Sequence, residues 1–206
     1  MNTQELTPPL GWITHSAPRL VAPPPNKRGF IFRIGSKFSK LLGRAEVPDV
    51  ISVLHINPRL FWPWLIFASR LMPYGKLPAT LREKVILRTG WNCRSRYEWG
   101  QHVEIALRCG VTPEEIRTLA LEPELEPKEL DRLALKACDE LCFQHVLSDI
   151  TWQLLRQHLS RKKILELLML VGHYQMIAGF LNSAGLVLEP NVEAVLKNLN
   201  SKIMLQ

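Results

Sequence analysis

From Pro48 onward the apolar positions recur every three or four residues, and the segments between them are punctuated by proline, glycine or a capping residue. That period is helical, and no stretch shows the alternation of a half-buried strand. The pattern predicts a short helix over Asp49–Ile56, closed by Asn57-Pro58, and an aromatic one over Arg59–Met72 with Pro63 tolerated in its first turn. Pro73, Gly75 and Pro78 then break the chain. Helices over Thr80–Thr89 and Arg94–Cys109 follow, separated near Gly90 and Asn92. Thr112-Pro113-Glu114-Glu115 reads as a capping box with proline at the first helical position. Leu130, Leu133, Ala134, Ala137 and Leu141 mark a helix over Pro127–Phe143. Ser148 and Ser160 read as N-caps for Asp149–His158 and Arg161–Leu181, and a last helix covers roughly residues 191–200. The expected class is therefore all-α. The most apolar run, Ile164–Leu181, carries Glu166, Gly172, His173 and Gln175, too polar for a good membrane span, and reads as a buried central helix.

Charge separates the chain into two parts. The net charge is +7, but residues 1–45 hold seven Lys/Arg against one acid, Glu5, whereas residues 46–206 hold 19 basic and 18 acidic residues. Basicity thus belongs to an arm over residues 1–46, and residues 47–206 form a nearly neutral single domain. Six prolines within residues 1–25 predict an extended segment. Residues 27–44 mix apolar and basic side chains, which suits a weak membrane-surface contact or packing on the body or on another subunit. No nucleic-acid motif accompanies the charge, so no nucleic-acid partner is expected. Met1–Thr7 lacks a secretory pattern, which favours a cytoplasmic location and free thiols at Cys93, Cys109, Cys138 and Cys142.

Candidate chemistry concentrates between residues 83 and 102. Ser95, Glu98 and His102 are spaced to share one face of a helix, and Glu83 lies on the helix before it. A carboxylate and an imidazole on facing helices make a plausible acid–base pocket. Elsewhere, Cys138, Cys142 and His145 also share a face. That face continues the apolar stripe of Leu130, Ala134 and Leu141, so core packing is the better reading and no metal is expected.

Leu81-Arg82-Glu83-Lys84-Val85-Ile86-Leu87, Tyr97-Glu98-Trp99-Gly100-Gln101-His102 and Gly110-Val111-Thr112-Pro113-Glu114-Glu115-Ile116 together resemble the carboxymuconolactone decarboxylase family, which includes the alkylhydroperoxidase D proteins. The stretches Leu147–Trp152 and Leu168–Tyr174 resemble its larger single-domain members. The resemblance implies a helical bundle assembled as a homotrimer or hexamer. Its peroxidase branch uses a glutamate, two cysteines three apart and a histidine. The glutamate and histidine fall on Glu83 and His102, but the cysteines fall on Ser95 and Glu98, neither of which is a thiol. Peroxidase chemistry would need another thiol, and Cys93 is the nearest candidate. The decarboxylase branch lacks the cysteine pair and works without a cofactor.

The expectation is thus a cofactor-free enzyme acting by proton transfer or decarboxylation on a small organic acid. His102 would be the general acid/base, Glu83 its orienter, Glu98 a second acid/base and Tyr97 a donor to a developing oxyanion. Ser95, Arg94, Arg96 and His173 would contact substrate, the arginines by gripping a carboxylate. Two other readings are an antioxidant peroxidase using Cys93, and a non-catalytic oligomeric module whose pocket is filled by side chains.

Overall fold

The computed structural model describes residues 6–24, Lys27 and residues 47–204, and the described residues form nine α-helices and no strand. In chain order these are α1 (Asp49–Leu54), α2 (Pro58–Leu71), α3 (Ala79–Asn92), α4 (Arg96–Arg108), α5 (Pro113–Leu121), α6 (Glu129–Gln144), α7 (Asp149–His158), α8 (Arg161–Ala184) and α9 (Pro190–Met204). A 3₁₀ turn, Pro123–Leu125, precedes α6. Most of the 27–44 segment, with its expected membrane-surface or subunit contact, lies outside the described residues.

Helix α3 is the centre of the bundle. It touches α4, α5, α6 and α8, and every residue from Leu81 to Leu87 is buried. It also runs past Gly90, where the sequence suggested a break. A Cβ at Gly90 would lie 3.4 Å from Glu98 Oε1 and 3.5 Å from the Trp99 nitrogen, ordinary contact distances, so Gly90 faces α4 within a continuous helix. Helix α4 begins at Arg96, two residues later than expected. Arg94 turns left-handed at φ 55° between the two helices, and Ser95 takes the N-cap position.

The caps read from sequence form as expected because they are local. Thr112 and Glu115 make a reciprocal capping box, and Ser148 and Ser160 accept from the nitrogens of Thr151 and Lys163. Helix α8 is long and apolar enough by composition to cross a membrane. In the bundle its inner side packs on α3, α4 and α6, burying Leu167, Leu170, Val171 and Ala178.

The described part of the arm has no regular secondary structure, and it is fastened to the body. Trp12 lies against Trp91 and Trp99, with ring centroids 5.5 and 5.8 Å away. Arg94 donates to the carbonyls of Gly11 and Leu10 at 2.7 Å, and the Ile13 nitrogen donates to the Arg94 carbonyl. Trp91 and Trp99 are core residues.

Lys84 is the buried charge that ties the bundle together. Its ammonium donates to Glu115 at 2.9 Å, Glu126 at 2.9 Å and Asp131 at 2.8 Å, joining α3 to α5, to the turn and to α6. Burial opposes the charge, but the hydrogen bonds from Asp131, Glu115 and Glu126 outweigh it and push the lysine pKa up. Burial acts to raise Glu115, and its bonds to the Thr112 nitrogen and Lys84 more than reverse this, lowering it to about 2. Lys84→Met would strand three carboxylates and is expected to cost about 3–5 kcal/mol, read as the shift of a urea unfolding curve. The lowered Glu115 contributes stability that is fully present above its unfolded value of 4.5 and lost as pH falls towards 2. Acid unfolding of the wild type should therefore steepen across that window, and an unchanged curve for Lys84→Met would contradict the role of the cage.

Candidate active site

Four helices enclose a cavity of about 400 Å³. Val50 and Ile51 of α1 and Phe61, Trp62, Trp64 and Leu65 of α2 form one side. Tyr97, Gln101, His102 and Ile105 of α4 and His173, Tyr174 and Ile177 of α8 form the other. The lining is apolar and aromatic apart from a few polar groups, and those are mostly engaged elsewhere. Tyr97 donates its hydroxyl proton to Glu189 at 2.7 Å and accepts from the Val50 nitrogen at 3.2 Å. Burial, followed by the charge of Glu189, pushes its phenol pKa up. Gln101 also donates to Glu189, and Glu189 further accepts from the Asp49 nitrogen at 2.8 Å. Glu189 therefore fixes α1 and the start of α9 to the wall of the cavity and removes Tyr97 as a donor to substrate.

His102 remains. Its Nδ1 donates to Glu83 Oε2 at 2.8 Å, and both residues are buried. The other carboxylate oxygen of Glu83 accepts from Arg82 Nε at 3.1 Å, and Arg82 is held in turn by the Pro73 carbonyl. Burial acts to raise the Glu83 carboxyl. The hydrogen bond and charge of His102, with the charge of Arg82, override it and hold the carboxyl below its ordinary range. Glu83 is thus ionised, and an ionised carboxylate is an acceptor only, so Nδ1 carries a proton and Nε2 is the nitrogen that Glu83 leaves unengaged. Tyr174 meets the His102 ring edge-on at 5.0 Å and fixes its plane.

His173 is the second imidazole of the cavity. It stacks on Trp64 at 6.1 Å and meets Phe67 and Tyr174 edge-on. Burial, then the charge of His102, lowers its pKa to about 4, so it is neutral near pH 7. The geometry brings His102, His173 and Tyr97 to one cavity, with Glu83 bonded to His102.

The remaining candidates lie elsewhere. Ser95 is buried at the N-cap of α4, with its hydroxyl unpartnered, and does not border the cavity. Arg94 holds the N-terminal arm, and Arg96 pairs with Glu193 of α9. Neither guanidinium is free to grip a substrate carboxylate, and no arginine or lysine among the described residues lines the cavity.

Glu98 borders the cavity, but both of its carboxyl oxygens are buried and make no hydrogen bond. Burial, with the nearby charge of Cys142, pushes its pKa well above the ordinary carboxyl value, so it is a neutral acid rather than a second base. Burial of that neutral acid favours folding fully below the unfolded value of 4.5, and the benefit is lost as pH rises. Glu98→Gln keeps the shape of the neutral form. Its stability relative to wild type should therefore improve as pH rises above 4.5, measured by urea denaturation at about pH 4 and about pH 8. A relative stability that falls with pH would contradict the neutral assignment.

Residues 58–138 match the model of the carboxymuconolactone decarboxylase family. No curated protein matches the chain. Among solved structures, a peroxidase-related protein from Silicibacter sp. TM1040 superposes with a TM-score of 0.76 at 14% identity, covering 87% of this chain and 95% of that one. The alkylhydroperoxidase AhpD core protein of Ralstonia eutropha JMP134 gives 0.76 at 17% identity, covering 86% and 95%. The debrominase Bmp8, as a variant in complex with 2,3,4-tribromopyrrole, gives 0.72 at 15% identity, covering 89% and 98%. The helical fold is shared along almost the full length of each, and the stretch from α2 into α6 is the part of the chain that is similar to the carboxymuconolactone decarboxylase family.

Proposed function

We propose that the protein is a cofactor-free acid–base enzyme whose substrate is a small, neutral, largely aromatic molecule. The observation that carries this reading is the His102–Glu83 pair at the wall of an otherwise apolar cavity. Nδ1 is committed to Glu83, and no described protein group hydrogen-bonds Nε2. A histidine oriented by a carboxylate can take a proton at Nε2 while the carboxylate stabilises the imidazolium that forms. Proton transfer of this kind contributes about 10²–10⁴-fold in rate.

The expected organic acid fits this lining poorly. Burying a carboxylate without a cation or donor is costly, and Arg94 and Arg96 face other partners. Trp62, Trp64 and Phe61 instead offer edges and faces to a flat ring. The tribromopyrrole bound by the debrominase is a ligand of that character. Decarboxylation remains compatible only with a substrate whose carboxylate is met by residues outside the described set. Among the described residues no side chain fills the cavity beside His102, which supports a binding site over a non-catalytic module.

Binding and exchange together test the proposal. Indole should quench the fluorescence of Trp62 and Trp64, and benzoate should bind about tenfold more weakly or worse. In D₂O the protein should speed exchange at indole C3, and His102→Gln should lose that acceleration by about 10²–10⁴-fold while still binding indole. Preference for benzoate would restore the organic-acid reading. Exchange equal in wild type and His102→Gln would remove His102 from the chemistry.

A further inference from the structure

Proton transfer at His102 gives the second imidazole of the cavity no task. His173 comes from the middle of α8 and lines the same cavity as His102, with 6% of its surface exposed. Its ring is held in place from several directions. Trp64 stacks on it, and Phe67 meets it edge-on at 5.5 Å. Tyr174 meets both imidazoles edge-on, His102 at 5.0 Å and His173 at 5.1 Å. Nδ1 of His173 is sealed and has no hydrogen-bond partner. Nε2 is not sealed, and none of the described groups bonds it, so the ring meets the cavity with its Nε2 edge. Other polar side chains of the cavity are occupied. Ser69 donates to the Ile66 carbonyl at 2.7 Å, and Tyr97 and Gln101 donate to Glu189.

We propose that His173 is a second catalytic residue, donating from Nε2–H to a carbonyl oxygen of the substrate, and that the substrate is a flat, neutral aromatic ketone with a C–H bond beside that carbonyl. This rests on His102 as the base. The sealed nitrogen fixes the tautomer. A neutral imidazole has one N–H and one lone pair. A buried N–H without an acceptor is the rarer orphan, so Nδ1 keeps the lone pair and Nε2 carries the proton. Burial keeps the ring neutral near pH 7, and a neutral imidazole can polarise a carbonyl without bringing a charge into an apolar space. A carbonyl suits this donor. It only accepts hydrogen bonds, it has no charge to bury, and it gathers negative charge when the neighbouring C–H bond is broken. The ring attached to it fits the indole faces of Trp62 and Trp64.

His102 Nε2 takes the proton from the carbon beside the carbonyl. The C–H electron pair becomes a C=C bond, and the carbonyl π pair moves onto oxygen. The hydrogen bond from His173 Nε2–H strengthens as charge builds on that oxygen, and the imidazolium of His102 is held by Glu83. The proton on His102 exchanges with water and returns to the same carbon, or to a conjugated carbon, which moves the double bond. No electrons leave the substrate, and water is the only other participant.

Indanone and indane, which differ only at the carbonyl, test this by calorimetric titration of the full-length protein. In His173→Phe, which keeps an aromatic ring against Trp64, indanone should bind about tenfold more weakly, while indane changes by less than about twofold. Deuterium exchange beside the indanone carbonyl in D₂O should fall by about 10²–10³-fold in the same variant. The infrared carbonyl stretch of bound indanone should lie below its position in heptane, in wild type and in His102→Gln alike. Nitrogen-15 NMR of the wild type, which depends on the folding of no variant, should find His173 protonated at Nε2. Equal indanone affinity in wild type and His173→Phe, a carbonyl stretch that is not lowered, or a His173 protonated at Nδ1 would each overturn the proposal and leave His102 as the base. Exchange of indanone unchanged in His102→Gln would instead overturn the acid–base reading itself, and the role of His173 with it.

Discussion

A helix buried on every side can carry three consecutive charged residues only if each finds a partner of opposite charge. Arg82, Glu83 and Lys84 are that case. One turn of α3 sends Lys84 into three carboxylates on one side and Glu83 towards His102 and Arg82 on another. A turn later Arg88 grips Asp139 and also satisfies the Leu119 and Ala120 carbonyls at the end of α5. The positions of α4, α5 and α6 around α3 are therefore set by charge neutralisation as well as by apolar packing. The Glu83–His102 pair is one consequence of that arrangement, since the contact that neutralises Glu83 is the contact that orients His102.

The same constraint divides the polar groups on the two sides of α3. On the cavity side, Glu189 absorbs Tyr97 and Gln101, so imidazole is left as the polar function facing an apolar space. On the far side, Asp139 accepts from Arg88 through both carboxylate oxygens and from Asn92 through one. Glu98 lies between the two. It borders the cavity as a buried acid whose two oxygens make no hydrogen bond.

Much of this was legible in the sequence where the determinants are local. Caps at Thr112, Ser148 and Ser160 involve residues three apart, and helical periodicity needs only neighbouring turns. The Glu83–His102 contact could be anticipated because both residues sit on adjoining helices in a recognisable pattern. What stayed hidden depends on partners far away in the chain. Arg94 and Arg96 looked like substrate ligands until the arm and Glu193 claimed them, across 83 and 97 residues. Gly90 looked like a break, but α3 continues through it to Asn92. Cys138 lies in the core and Cys142 packs against it, as the apolar stripe through Leu130, Ala134 and Leu141 suggested.

Acid–base chemistry at this site requires an imidazole with one nitrogen held by Glu83 and the other turned to an apolar cavity. Nitrogen-15 NMR of the histidine rings reads this directly. His102 should be protonated at Nδ1, with that proton shifted downfield and slow to exchange, and adding indole should move its Nε2 resonance. An Nε2-protonated ring, or a ring whose resonances ignore every neutral aromatic that binds, would contradict it.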